Sequence, residues 1–173
     1  MTDSKSVKVM QNIDQAIEVM RDAGKWLAES GKNPSEWWKL ENLNSEFLLQ
    51  YAKPEEFYVA TVDDKPAAAA ILQFTQTGQD WQNVDKDFLQ PALYIHWLCV
   101  HRDFAGKNLP KIMIEFAEKL AQKNDVKLLR VDTNAEEMKL RNMYEKLGFE
   151  LIIIMKEDYR KTALYQKRVK WGV

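Results

Sequence analysis

Between Ala92 and Ala121 the sequence changes its apolar period once, and that change constrains the fold more than any other feature. Ala92–Val100 is a nearly continuous apolar and aromatic run, the most strand-like in the chain. His101–Lys107 is polar and contains Gly106. From Leu109 onward, Leu109, Ile112, Met113, Phe116, Ala117, Leu120 and Ala121 recur at helical spacing. Lys127–Asp132 then reads as a short buried strand. Two strands joined through a helix by short connections must be parallel, with a right-handed crossover. Ala135–Leu147 follows as a helix, ended by Gly148 in the role of a left-handed cap. Phe149–Met155 and Thr162–Val169 close the chain as strands.

The first half is read the same way. Ser6–Met10 is a short strand. Asn12–Leu27 is an amphipathic helix through Ile13, Ala16, Ile17, Met20, Ala23 and Leu27. Gly31–Pro34 stops it, and Pro34 starts a second helix carrying Ser35, Glu36, Trp37 and Trp38. Glu46–Tyr51 is helical. Phe57–Val62 and Ala67–Thr75 form a hairpin around Asp63–Pro66, and Gln76–Gln90 is a long polar loop containing Trp81. The expected class is α/β: a mixed central sheet of six to seven strands flanked by helices on both faces. With 173 residues, residues 1–173 are read as a single domain.

Charge and cysteine content exclude several functions. The formal net charge is -1, with basic and acidic residues interleaved, so no nucleic-acid footprint is expected. The single cysteine, Cys99, has no partner for a disulfide, and no Cys or His stands at metal-ligand spacing. Met1–Met10 does not read as a signal peptide, and the longest apolar runs, such as Leu151–Met155, fall far short of a membrane span. A cytoplasmic protein without metal or membrane association is expected.

The turn from Val100 into the helix at Leu109 carries the chemistry. The first N–H groups of a helix lack intrahelical acceptors, and the helix dipole adds positive potential. A diphosphate satisfies both. Gly106 lets a ligand approach the backbone, Lys107 supplies a positive charge, and Pro110 fits a first helical turn. A glycine before a helix is by itself a common turn.

The run Tyr94-Ile-His-Trp-Leu-Cys-Val-His-Arg-Asp-Phe-Ala-Gly-Lys-Asn-Leu-Pro110, followed by Asn142-Met-Tyr-Glu-Lys-Leu-Gly-Phe149, resembles the two signatures of the GCN5-related N-acetyltransferase (GNAT) superfamily. The resemblance spans Phe57–Val169 well and the N-terminal helices loosely. It implies the GNAT-like fold and acetyl-coenzyme A as co-substrate. It also implies a family in which dimers are common, so a homodimer is the assembly expected. By resemblance, the backbone of Leu98, Cys99 and Val100 binds the pantetheine arm, and Ala105, Gly106, Lys107, Asn108, Leu109 and Pro110 hold the diphosphate. Tyr144 lies near the sulfur as general acid. The loop departs from the family pattern at Ala105, Asn108 and Pro110, and Asn108 is a candidate helix cap. Glu137 stands where the family often has Asn, with Asn134 the nearest substitute.

Acetylating an amine needs a base, donors for the developing oxyanion and an acid for the leaving thiolate. Tyr144 is the acid candidate, on a helical face with Leu140, Met143 and Leu147; a core tyrosine is the plain alternative. His96 is the base candidate, because histidine takes up a proton near neutrality, and some relatives acting on arylalkylamines have histidine at the matching position. A hydrogen-bonded core histidine is the alternative. His101 reads as a loop residue, Cys99 as an apolar core residue, and Glu150 and Asp132 as weaker bases. Trp37, Trp38, Trp81 and Trp97 are candidates for an acceptor pocket. Three activities remain open: acetylation of a small-molecule amine, acetylation of a peptide or protein amine, and acyl-coenzyme A sensing without catalysis.

Overall fold

The computed structural model describes residues 6–31, 35–75, 80–156 and 161–170. Strand β1 (Val7–Gln11) leads into α1 (Ile13–Glu29), where Asn12 is the N-cap and its Oδ1 accepts the Gln15 N–H at 3.0 Å. The helix buries Ala16, Val19, Met20 and Gly24, the i, i+3, i+4 spacing of one face. Gly24 is required by close approach, since a Cβ there would lie 2.5 Å from Leu43 Cδ1 and 3.3 Å from the Trp38 carbonyl oxygen.

The helix expected from Pro34 is instead two 3-10 turns, Glu36–Trp38 and Leu40–Asn42, with Lys39 extended between them. Pro34 itself lies outside the described residues. The tight turns send two adjacent tryptophans to different places: Trp38 packs on the α1 core, and Trp37 joins an aromatic cluster described below. The second helix is short, α2 (Ser45–Leu48), capped by Asn44 Oδ1 accepting the Phe47 N–H at 2.9 Å. Strands β2 (Phe57–Val62) and β3 (Lys65–Gln73) pair antiparallel. Asp63 and Asp64 both have positive φ, 49° and 66°, as a two-residue hairpin turn of the mirror-image type demands.

Then follow β4 (Leu93–Val100), α3 (Leu109–Lys123), β5 (Leu128–Asn134), α4 (Met138–Lys146), β6 (Glu150–Lys156) and β7 (Lys161–Arg168). The seven strands form a mixed sheet in the order β1-β2-β3-β4-β5-β7-β6. Strands β4 and β5 are the expected parallel pair, and β7 inserts antiparallel between β5 and β6. Gly148, at φ 95°, ends α4 as expected. The apolar face read for α4 is narrower in the structure. Tyr144 is its buried residue, and Leu140 is exposed.

The chain divides into two compact units, each built from two segments: 1–72 with 97–113, and 73–96 with 114–173. In the first, α1 packs on Phe57, Val59, Ala69 and Ile71. In the second, Trp81, Ala92, Tyr94, Leu128 and Leu164 form the apolar cluster. Beside that cluster runs a buried polar group. Arg130 and Asp85 are bonded twice, at 2.7 and 2.8 Å, with side chains 0% and 1% exposed. The guanidinium also donates to Gln166 Oε1 at 2.9 Å and Tyr94 Oη at 3.2 Å, and its carbon sits 4.4 Å from the Trp81 ring centroid. The polar loop before β4 is therefore anchored through Asp85 and Trp81.

The Arg130 guanidinium holds the Asp85 carboxyl below the ordinary carboxylate range. A depressed acid contributes stability above its unfolded-state pKa and loses it as pH falls through the folded value. Arg130→Met should therefore destabilise the protein by about 3 kcal/mol or more in chemical denaturation, because it strands a buried carboxylate. The double variant Asp85→Leu/Arg130→Met should cost less. The stability gap between wild type and Asp85→Asn should close as pH drops below about 4.

Candidate active site

The parallel ladder between β4 and β5 runs through Leu93↔Leu129, Tyr94↔Arg130 and Ile95↔Val131. At the next position the strands are joined through side chains, with His96 Nδ1 3.5 Å from Asp132 Oδ1. Both side chains are about a quarter exposed, 22% and 24%. Asp132, read as a weaker base, is an internal residue of β5 beside the candidate base. This pairing depends on strand register, which local sequence patterns do not encode. A proton on Nδ1 directed at the carboxylate leaves Nε2 as the ring's acceptor.

One residue later the backbone breaks. Trp97 has φ 52°, in the left-handed region, which costs a bulky residue about 1–2 kcal/mol. The half-buried indole offsets that strain. Its Nε1–H donates to the Trp37 carbonyl at 2.9 Å, and its ring meets Trp37 edge-on at 5.8 Å between centroids. Trp37 also packs against Tyr51 at 4.9 Å and Phe47 at 6.2 Å. Of the four tryptophans considered for an acceptor pocket, Trp37 and Trp97 thus share a half-buried aromatic cluster with Phe47 and Tyr51. Trp38 packs on the core, and Trp81 is buried under Arg130.

After Trp97 the strand continues through half-buried Leu98, buried Cys99 and half-buried Val100. Burial pushes the Cys99 thiol up, which keeps it protonated and unsuited to nucleophilic attack. His101 does more than the plain loop role expected of it. Its N–H donates to the Ala67 carbonyl at 2.8 Å, and its Nδ1 accepts the Asp103 N–H at 3.2 Å. Its Nε2 lies 3.4 Å from Asp22 Oδ1. The same Asp22 carboxylate accepts the Arg102 N–H at 2.9 Å and Arg102 Nε at 3.3 Å. An aspartate on α1 therefore clamps the entrance of the glycine loop, a role that sequence spacing does not reveal.

Within the loop, the Ala105 N–H is bonded to the Arg102 carbonyl at 3.3 Å. Pro110 has no N–H to give. Residues 105–108 are exposed. Gly106 has φ 78°, and a Cβ added there would meet nothing within 4 Å. Asn108 is also left-handed, at φ 58°. That conformation is open to Asn at low cost and differs from the extended backbone of a side-chain N-cap. The expected capping role for Asn108 is replaced by a backbone role: its carbonyl accepts the Ile112 N–H at 3.2 Å. Residues 106–108 are exposed where α3 begins, and Leu109 is buried; the start of a helix is where backbone N–H groups lack intrahelical acceptors.

Tyr144 packs edge-on against Phe149 at 5.5 Å and lies 6.1 Å from the Tyr165 ring. Tyr165 is registered with Val131, and Leu164 with Asp132. Successive strand residues alternate faces, so Tyr144 and the His96–Asp132 pair lie on opposite faces of β5. Tyr165 is itself occupied, accepting from Arg141 Nε at 2.9 Å and donating to Glu145 Oε1 at 3.1 Å. Asn134 Oδ1 accepts the Glu136 N–H at 3.0 Å and so shapes the turn into α4. Among the described residues there is no cluster of three or more His, Cys, Asp or Glu that could hold a metal ion. No helix among them is long and apolar enough to cross a membrane.

A mixed seven-stranded sheet with a strand–glycine loop–helix junction is the architecture of an acyl-coenzyme A-dependent transferase class. The chain belongs to the acetyltransferase (GNAT) family, whose model matches residues 14–149. It is 22% identical over 163 residues to an uncharacterised N-acetyltransferase, YesJ, of Bacillus subtilis strain 168, covering 93% of this chain and 87% of that protein. A GNAT-family acetyltransferase from Listeria monocytogenes 4b F2365 is similar in structure, with TM-score 0.67, 27% identity, and 95% and 94% of the two chains covered. The PaiA N-acetyltransferase of Thermoplasma acidophilum, solved in complex with coenzyme A, superposes with TM-score 0.67 at 18% identity, covering 94% of this chain and 99% of that one.

The strain at Trp97 is testable. Glycine in a strand is ordinarily about 0.5–1 kcal/mol less stable than alanine. At a left-handed position the order reverses, so Trp97→Gly should be more stable than Trp97→Ala by about 1 kcal/mol in urea denaturation. An alanine variant as stable as the glycine variant would show that residue 97 is not held left-handed in solution.

Proposed function

We propose that the protein transfers an acetyl group from acetyl-coenzyme A to the primary amine of a small molecule by direct attack. The observation that carries this reading is the break in β4. His96, paired to Asp132, is followed at once by Trp97, which is turned into an aromatic cluster. Aromatic rings suit an amine that arrives as a cation, since ring faces attract ammonium groups.

The coenzyme supplies an acyl carbon activated as a thioester. Each proposed role then falls to a residue whose geometry is described above. The N–H groups of Gly106 to Leu109 hold the diphosphate, and Lys107 adds charge. The backbone of Leu98, Cys99 and Val100 holds the pantetheine arm, and the Nδ2 of Asn134 is the side-chain group left to reach it. Ala105 and Pro110 shape the loop without donating. The chemistry needs the amine nitrogen deprotonated. His96 Nε2 takes that proton, and Asp132 orients the ring and stabilises the resulting imidazolium. The Tyr144 hydroxyl gives a proton to the departing sulfur.

The test is a continuous thiol-release assay with acetyl-coenzyme A across arylalkylamines, aliphatic amines and peptide N-termini. Small amines should be turned over, arylalkylamines best. Tyr144→Phe and His96→Gln should each lower kcat by about 10²–10⁴-fold while coenzyme affinity is unchanged. Release only with peptides would reassign the acceptor. Coenzyme binding with no release on any amine would make the protein a sensor.

A further inference from the structure

The chain gathers positive charge in one place that the proposed chemistry does not use. Over the whole sequence cations and carboxylates nearly balance, at 25 and 26. Around the ends of α4 and β7 they do not. A cavity of about 340 Å³ there is lined by Lys146, Lys167, Arg168 and Lys170, with Glu150 as the carboxylate among its walls. Lys167 is already neutralised. Its Nζ lies 2.6 Å from Glu118 Oε1, with the two side chains 13% and 12% exposed. Gly148 leaves the room that Lys167 occupies, since a Cβ there would lie 3.1 Å from Lys167 Cε. Lys146, Arg168 and Lys170 are exposed, and these three against Glu150 leave an excess of two positive charges. The carbonyls that end α4 do not offset it, because backbone donors take them. The Leu147 N–H is bonded to Met143 and Tyr144, the Gly148 N–H to Glu145 and the Phe149 N–H to Tyr144, at 3.0–3.1 Å. Gln166 also lines the cavity. Its Oε1 accepts from Arg130 Nε at 2.9 Å, so Nε2 is the donor that its amide has left.

We infer that this cavity is a second ligand site, which takes a small organic molecule carrying a phosphate monoester. Charge selects the anion. A phosphate monoester carries about -1.5 to -2 at pH 7 and three acceptor oxygens, which complements an excess of two positive charges. Ammonium and guanidinium groups only donate, and the Arg168 guanidinium has the fork that grips two phosphate oxygens at once. Size selects the rest. A bare phosphate ion is far smaller than the cavity, whose volume lies at the low end of the roughly 300–1,000 Å³ of small-molecule sites. Leu147, also in the lining, gives the organic part an apolar contact. A nucleic-acid strand would need a basic stripe, and this is one cavity in a chain of net charge -1. The site is separate from the glycine loop. Lys167 is bonded to Glu118, and the Lys170 carbonyl accepts from Gln122, both in the second half of α3, whereas the loop precedes Leu109. The lining belongs wholly to the second compact unit and the loop to the first. The inference does not depend on the proposed catalytic activity.

The test is calorimetric titration of the full chain with glycerol 3-phosphate and with glucose 6-phosphate, in the presence and absence of coenzyme A. At least one ester should bind saturably with a Kd of about 1 mM or below, whether or not coenzyme A is present. Inorganic phosphate should bind more weakly than that ester, and glycerol and glucose should not bind. Arg168→Gln/Lys170→Gln removes two exposed cations and should raise the Kd of the ester by about tenfold or more. Its fold is checked by circular dichroism and its melting midpoint. Glu150→Gln removes the opposing carboxylate and should lower the Kd by about two- to fivefold. The inference is overturned if neither ester saturates, if inorganic phosphate binds as tightly as both esters, if coenzyme A displaces the ester, if Arg168→Gln/Lys170→Gln binds it as well as the wild type, or if Glu150→Gln fails to tighten it.

Discussion

The break in β4 between His96 and Trp97 is the constraint on which the rest of the site depends. Up to Ile95 the strand is held in a parallel ladder with β5. The left-handed turn at Trp97 ends it. The cost of that conformation falls on a residue whose indole is both hydrogen bonded and packed, the circumstance in which local strain persists. The boundary between the two compact units runs through the same peptide. On one side lie His96 and Asp132. On the other, Trp97 starts the segment that ends in the glycine loop.

Two sets of charged contacts hold the segments flanking this break. Arg130, bonded to Asp85, Tyr94 and Gln166, fixes the long loop before β4 and the strand opposite it. Such a pair is costly to desolvate, and it persists because nearly every donor is matched. Asp22 does similar work at the exposed end, gathering His101 and Arg102 before the loop turns at Gly106. The entrance of the loop is thereby held before the chain turns into α3.

Most of the fold was legible because its periods are clean. The strand-to-helix change after Val100, the cap at Gly148, and the hairpin at Asp63-Asp64 each follow from local chemistry. The region around Trp37 was not. Adjacent tryptophans obey neither a helical nor a strand period when they pack in different directions. Where motif and backbone coincide the pattern was legible: the glycine read into the turn before α3 has the left-handed backbone that favours glycine. It was illegible where a long-range register decides the partner: Asp132 beside His96, Asp85 under Arg130, and Asp22 under His101. The altered loop positions gain a physical meaning in the structure. Asn108 is among the few residues that accept the left-handed backbone found there, so the turn survives its departure from the family pattern.

The family carries an acyl-coenzyme A chemistry, and the phosphate donors proposed for it are the backbone N–H groups of Gly106 to Leu109. Calorimetric titration of the protein with acetyl-coenzyme A measures this most directly. Saturable binding of one molecule per chain is expected at submillimolar concentration, weakened when Gly106 is replaced by valine. Absence of binding in that range by the wild-type protein would contradict it.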